Sequence, residues 1–163
     1  MLISNNFCGK NRFAEKIREC MLIGEYTHTI DTKKRLAIPS KLRRELGAKA
    51  VITRGLDNCL FIYPFKEWQK LVEKLSSLPI GQRDTRGFGR LMLAGASEVD
   101  LDTLGRVLIP DYLKKYAQLK KNVVIAGVYS RLEIWDETKW NTFKKQSEKE
   151  VDNIAERLGE LGV

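Results

Sequence analysis

A chain of 163 residues, 43% hydrophobic and 31% charged, has the composition of a globular protein with room for one core of ordinary size. No apolar run approaches the roughly 20 residues that a membrane span needs, and residues 1–20 lack the apolar centre of a secretion signal, so a cytoplasmic location with no membrane partner is expected. Cys8, Cys20 and Cys59 are widely spaced and form no C-x-x-C pair, which speaks against a disulfide framework, a zinc site or any other metal; the formal charge of +8 favours a polyanionic partner without requiring one.

Residues 1–20 are polar and basic, with Lys10, Arg12, Lys16 and Arg18 set against Glu15 and Glu19, and Phe13 and Ile17 at helical spacing. Either this stretch is a mobile arm that adds positive charge, or Met21 is the native start. From Glu25 to Ile30 the polar Thr27 and Thr29 alternate with Tyr26, His28 and Ile30, the period of a half-buried strand. Asp31 to Lys34 reads as a turn, since the Asp31 carboxylate can accept backbone N–H groups further along it. Arg35 to Ile38 resumes the strand pattern; Pro39 then presets a helix start, and Ser40 to Leu46 is a short helix that Gly47 can end.

Ala50–Thr53 and Cys59–Tyr63 are two more short strands, joined by the Gly, Asp and Asn of a turn. Pro64 opens a helix in which Trp68, Leu71, Val72 and Leu75 form one apolar face, with Trp68 expected in the core. Gln82 to Ala96 reads as a further helix, with Arg83, Arg86 and Arg90 lining one side. That basic face is either solvated surface or a contact with nucleic acid or a neighbouring subunit.

The pattern then returns. Leu101–Pro110 repeats Ile30–Pro39 at an offset of 71, with Asp102, Thr103, Arg106, Ile109 and Pro110 in place of Asp31, Thr32, Arg35, Ile38 and Pro39. Over the windows 30–43 and 101–114 six of fourteen residues are identical, and at an offset of 72 Val51, Gly55, Leu60, Ile62 and Trp68 match Val123, Gly127, Leu132, Ile134 and Trp140. The chain is a duplicated module. Its organisation reads as an extension (1–20), a first module (21–68), connecting helices (69–97), a second module (98–140) and a helical tail (141–163). In that tail Val151, Ile154, Leu158 and Leu161 make a narrow stripe that needs a partner, either the protein's own body or a neighbouring subunit. Gly159 and Gly162 are expected to let its end fray.

Neither module has enough strand to bury a core alone. Two copies about a pseudo-twofold axis, with strands interleaved, would remove exposed edges and give a small β-barrel that presents Arg35 and Arg106 together. Chemistry of other kinds finds little support. His28 is the single histidine, on the apolar side of a strand; Asp31 and Asp102 have no neighbouring nucleophile or metal cluster; no glycine-rich phosphate loop follows a strand. No enzyme activity, cofactor or small-molecule substrate is expected.

Gly24-x6-Asp31-x3-Arg35-x3-Pro39 in the first half resembles the MraZ family, as do Leu101-Asp102-x-x-Gly105-Arg106-Val107-Leu108-Ile109-Pro110 and Glu133-Ile134-Trp135-Asp136 with Trp140 in the second. MraZ proteins are bacterial transcriptional regulators of the AbrB/MazE-like superfamily. The resemblance covers about residues 21–161 and implies an α+β fold: a tandem-duplicated AbrB-like swapped-hairpin β-barrel with pseudo-twofold symmetry, short flanking helices and a C-terminal helix. It also implies a ring-shaped homo-oligomer, nucleoid-associated, that binds short G-containing direct repeats in double-stranded DNA upstream of the division and cell wall gene cluster, its own promoter included. The alternative is an antitoxin-like or scaffold interaction module without specific DNA binding.

The motif arginines of the family map onto Arg35 and Arg106, and a planar guanidinium is shaped to meet guanine O6 and N7 together. Around them Thr32, Lys33, Lys34, Lys41, Arg43 and Arg44, with Thr103, Lys114 and Lys115, are candidate phosphate contacts. Asp31, Asp102 and Gly105 are read as turn formers. The competing reading is a structural hairpin in which Asp31 pairs with Arg35 and Asp102 with Arg106. One departure from the family stands out: Lys34 occupies the place of Gly105, where a left-handed backbone would cost a lysine about 1 kcal/mol. That leaves the first turn free to differ in shape, reading bases less and holding the backbone more.

Overall fold

The computed structural model describes residues 21–162, so the expectations for residues 1–20 lie outside the described residues. The first half runs β1 (Leu22–Thr29), β2 (Arg35–Ala37), α1 (Ser40–Leu46), β3 (Lys49–Arg54), β4 (Leu60–Pro64) and α2 (Phe65–Ser76). Helix α3 (Arg83–Gly89) continues into a π-helical segment, Arg90–Ala94. The second half runs β5 (Ser97–Asp100), β6 (Arg106–Leu108), α4 (Asp111–Tyr116), β7 (Asn122–Tyr129), β8 (Leu132–Asp136) and α5 (Glu137–Gly159).

The two modules are interleaved. Six strands form an antiparallel sheet in the order β1-β7-β8-β4-β3-β5, and β2 pairs with β6 in a separate ribbon. Exchanging each strand for its repeat reads the sheet order backwards, so the sheet has the pseudo-twofold symmetry that the duplication implies. β1 of the first module pairs with β7 of the second, and β5 of the second with β3 of the first. The axis passes through two pairs of equivalent residues: Leu36 faces Val107 in the ribbon, and Phe61 faces Glu133 between β4 and β8. A bridge between Ile30 and Leu36 ties the end of β1 to the ribbon.

All eight strands feed one core. Leu22, Leu36, Ile52, Ile62, Val99, Val107, Ile125 and Ile134 belong to a single cluster, joined by Leu42 and Leu46 from α1 and Leu113 from α4. Such a cluster requires the sheet to curl around its own inner face, with the ribbon laid across the opening. On the outer face of β4 and β8 a second cluster holds Cys59, Phe61, Tyr63, Met92 and Trp135, covered by Trp68, Leu71 and Leu75 from α2 and by Trp140 from α5. Trp68 thus packs as its spacing indicated, though against this outer cluster rather than the barrel interior. Burial also pushes the Cys59 thiol up to about 12, which leaves it a protonated packing group.

Two local departures from the sequence reading have clear causes. The helix expected over 82–96 changes to π geometry at Arg90, which frees carbonyls from the regular ladder. Side chains of β3 take them: Thr53 Oγ1 donates to the Met92 carbonyl at 2.6 Å and Arg54 Nη1 to the Leu91 carbonyl at 3.4 Å. Arg54 is in turn held between the rings of Tyr112 and Tyr116, each 5.7 Å away. The last helix begins at Glu137, within the second module rather than at 141, because buried Asp136 caps it by accepting the Thr138 N–H at 3.1 Å. Lys144 then ties α5 to Glu25 of β1 at 3.0 Å.

Truncating the axial residue should be felt by both modules. Leu36→Ala is expected to destabilise the chain by about 2–5 kcal/mol, the usual cost of a cavity at a fully buried leucine. Urea denaturation of the variant beside the wild type measures it, with a single transition expected.

Candidate nucleic-acid interface

The two Asp-x-x-x-Arg turns are built alike. In the first, the Asp31 N–H donates to the Arg35 carbonyl at 3.0 Å and the Lys34 N–H to the Asp31 carbonyl at 3.0 Å. Oδ1 of Asp31 accepts the N–H groups of Lys33 at 2.8 Å and Arg35 at 2.9 Å, while Oδ2 pairs with Arg35 Nε at 2.7 Å. In the second, Oδ1 of Asp102 accepts from Leu104 and Arg106, both at 2.9 Å, and Oδ2 pairs with Arg106 Nε at 2.8 Å. The Arg35 N–H, followed by its guanidinium, holds the Asp31 carboxyl below the usual carboxylate range; Arg106 does the same for Asp102.

Lys34 does not change the shape of its turn, contrary to the expectation. It takes φ 62° where Gly105 takes φ 71°, and the hydrogen bonds around the two coincide. The strain is opposed by an ion pair in which Lys34 Nζ meets Asp111 Oδ2, 2.6 Å away at the start of α4. That contact, not the bare turn, lowers the Asp111 carboxyl, and it also engages the charge that the sequence offered to phosphate. Gly105 also has a close neighbour. A Cβ there would strike the Arg43 guanidinium, which lies across the turn while its Nε donates to the Ile38 carbonyl at 2.7 Å.

The ribbon brings the two arginines onto one face. Residues alternate along each strand, so buried Leu36 and Val107 point to the core while Arg35, Ala37, Arg106 and Leu108 line the outer surface. Arg35 lies opposite Leu108 and Arg106 opposite Ala37, which puts the arginines on a diagonal of about 7–8 Å, somewhat less at Cβ. Both ion pairs of a purely structural hairpin are present, yet each uses only Nε. The terminal amino groups of both guanidinium groups form no hydrogen bond with any described residue. Thr32, Lys33 and Thr103 sit exposed at the turn tips, Lys41 and Arg44 are exposed on α1, and Lys114 and Lys115 are on α4.

Elsewhere, Arg83, Arg86 and Arg90 line a shallow cleft with Asp84 and Phe88, and Arg86 is spent on the Ile80 and Gly81 carbonyls at 2.9 and 2.8 Å. Of the tail stripe, Val151 and Leu158 on α5 and Leu161 just beyond it stay exposed, so the protein's own body does not cover them. Among the described residues no cluster of His, Cys, Asp and Glu could hold a metal ion, and no helix is long and apolar enough to cross a membrane. Sequence reasoning passed over exposed Leu108; its partner across the ribbon follows only from the strand pairing.

Comparison with known proteins fits this geometry. A family model described as "MraZ protein, putative antitoxin-like" matches residues 21–91 and again 92–160. The transcriptional regulator MraZ of Alkaliphilus metalliredigens is 47% identical over 143 residues, spanning 88% of this chain and all of the relative. Those of Caldicellulosiruptor saccharolyticus and Acetivibrio thermocellus are 50% and 48% identical over the same shares.

Two outcomes are expected of the turns. Because Asp31 and Asp102 lie below the unfolded value near 3.9, their contribution is complete above about pH 5 and is lost as pH falls through the folded values. Amide chemical shifts of Arg35 and Arg106, followed from about pH 6 to 2, should therefore titrate with midpoints below about 3.9. Lys34→Gly relieves about 1 kcal/mol of left-handed strain and loses an exposed ion pair of about 0–1 kcal/mol, so thermal denaturation should show a small net stabilisation.

Proposed function

The chain belongs to the MraZ family of transcriptional regulators, and from that premise we propose that it binds double-stranded DNA through the outer face of the β2–β6 ribbon. Its targets are short G-containing direct repeats upstream of the division and cell wall gene cluster, its own promoter among them. It acts in the cytoplasm, on the nucleoid.

The observation that carries the reading is the pair of half-exposed arginines whose Nε edges are fixed by aspartate while their terminal amino groups stay unengaged. A guanidinium oriented in advance loses little freedom when it meets guanine O6 and N7. A diagonal of about 7–8 Å matches about two base steps of 3.4 Å, so the two arginines address different base pairs of one site. Thr32, Thr103, Lys33, Lys41, Arg44, Lys114 and Lys115 supply phosphate contacts that set affinity without reading sequence. Lys34 and Arg43 act mainly through the turns they brace.

Magnitudes require more than one copy. Each bidentate arginine contributes about 1–3 kcal/mol of discrimination, whereas a specific site stands about 4–10 kcal/mol above nonspecific DNA. Repetition of the ribbon around a ring of identical chains, each on its own direct repeat, closes that gap through effective concentration.

Gel-shift titration on the DNA upstream of the chain's own gene tests the proposal. Arg35→Ala and Arg106→Ala should each weaken specific binding by about 1–3 kcal/mol, and binding should fall steeply as salt rises. Lys33→Ala should reduce the salt slope without altering preference for the upstream sequence. Intact repeat binding by the double arginine variant would overturn the site assignment. A wild type that treats upstream and scrambled DNA alike at low salt would overturn the regulator reading in favour of an antitoxin-like or scaffold module.

A further inference from the structure

Leu108 is 57% exposed on a ribbon face otherwise made of two arginines and an alanine. It is not needed by the core, because Val107 and Ile109 on either side of it are fully buried and face inward. More than half of it is open to water, which is ordinary for a single surface leucine. Its position has a specific neighbour. Leu108 stands directly across from Arg35, so their Cβ atoms are about 4.5–5.5 Å apart and their side chains leave the ribbon together. The equivalent place beside Arg106 is filled by Ala37, which has no reach.

We infer that Leu108 is a specificity-determining residue that packs against the 5-methyl group of a thymine next to the guanine read by Arg35. The inference rests on the DNA-binding reading of the ribbon and adds an apolar element to it. In the major groove the thymine methyl is the one apolar group that distinguishes base pairs, and neighbouring base pairs, about 3.4 Å apart, lie within reach of two long side chains whose Cβ atoms are about 4.5–5.5 Å apart. The charge around the ribbon, from Lys33, Lys41, Arg35 and Arg106, draws in the same polyanion whose groove holds that methyl.

The consequence is polarity. A ribbon with true twofold symmetry would read both directions of a site equally. Here the Arg35 end reads a guanine with an adjacent thymine methyl, and the Arg106 end reads a guanine with the small Ala37 across the ribbon and Leu104 exposed at the turn tip instead. A site read this way has a direction, as direct repeats do and palindromes do not.

The test uses the full chain and duplexes of the DNA upstream of its own gene, in which each thymine of the protected region is replaced singly by deoxyuridine, removing only the methyl. At one thymine per repeat the wild type should bind about three- to fivefold more weakly, the worth of one buried methyl. Leu108→Ala should bind thymine and uracil duplexes alike at that position, and Leu108→Met, which keeps an apolar tip, should retain the discrimination. If the wild type prefers upstream DNA but no thymine replacement matters, or if Leu108→Ala remains equally sensitive, the role of Leu108 is overturned while the DNA-binding reading stands. If the wild type shows no preference for upstream over scrambled DNA, both fall together.

Discussion

Leu36 and Val107 face each other where the pseudo-twofold axis crosses the ribbon, and the outward face of the ribbon depends on that pair being buried. Strand alternation then fixes the direction of their neighbours. With 36 and 107 anchored in the core, 35 and 106 must point outward, and a one-residue slip would bury two guanidinium groups in exchange for two aliphatic side chains. The penalty for burying unpaired charge is several kcal/mol per ion, so the register that positions the arginines is enforced by the core beneath them. At the other end of the axis Phe61 meets Glu133, and the symmetry relaxes because Arg131 serves both: it stacks 4.3 Å from the Phe61 ring and pairs with Glu133 at 2.7 Å.

The aspartates link this frame to the two arginines. A turn that needs left-handed backbone at its fourth residue would be shaped by glycine alone, but Asp31 and Asp102 also gather two backbone N–H groups apiece and hold Nε of the arginine at the turn's end. One carboxylate thereby closes the turn and fixes the direction of a guanidinium. A structural hairpin and a reading head are not alternatives in this geometry, since the edge of arginine used for structure is not the edge that would meet a base.

Much of the frame was legible in the sequence because it rests on local pattern. Period-two alternation, the Asp turns and the prolines before each short helix located β1, β2, β6, α1 and α4, and duplication of the strings led to an interleaved, pseudo-symmetric α+β body. What escaped was long-range. Nothing in Thr53 or Arg54 announces that they will satisfy carbonyls of a π-helical segment some forty residues on. Lys34 looked like a reason for the first turn to diverge, and locally it is; the compensation comes from Asp111, in the other module. Likewise the interest of Leu108 lies in its being opposite Arg35, a fact of strand register rather than of spacing along the chain.

The bracing of the turns shows what a duplicated chain can do that two identical chains cannot. The first turn is steadied by a side chain of its own, Lys34, reaching to α4 of the second module. The second is approached from outside, by Arg43 of α1 in the first module, which lies over its glycine and donates to the Ile38 carbonyl. Each turn therefore meets a side chain of the other half, but through opposite arrangements: Lys34 reaches out from the first, whereas a side chain at 105 would oblige the Arg43 guanidinium to move aside. Covalent linkage allows the two halves to hold different residues at equivalent sites while keeping one backbone shape. Shape then stays symmetric and chemistry does not, which is the combination required for a twofold scaffold to recognise a sequence with a direction.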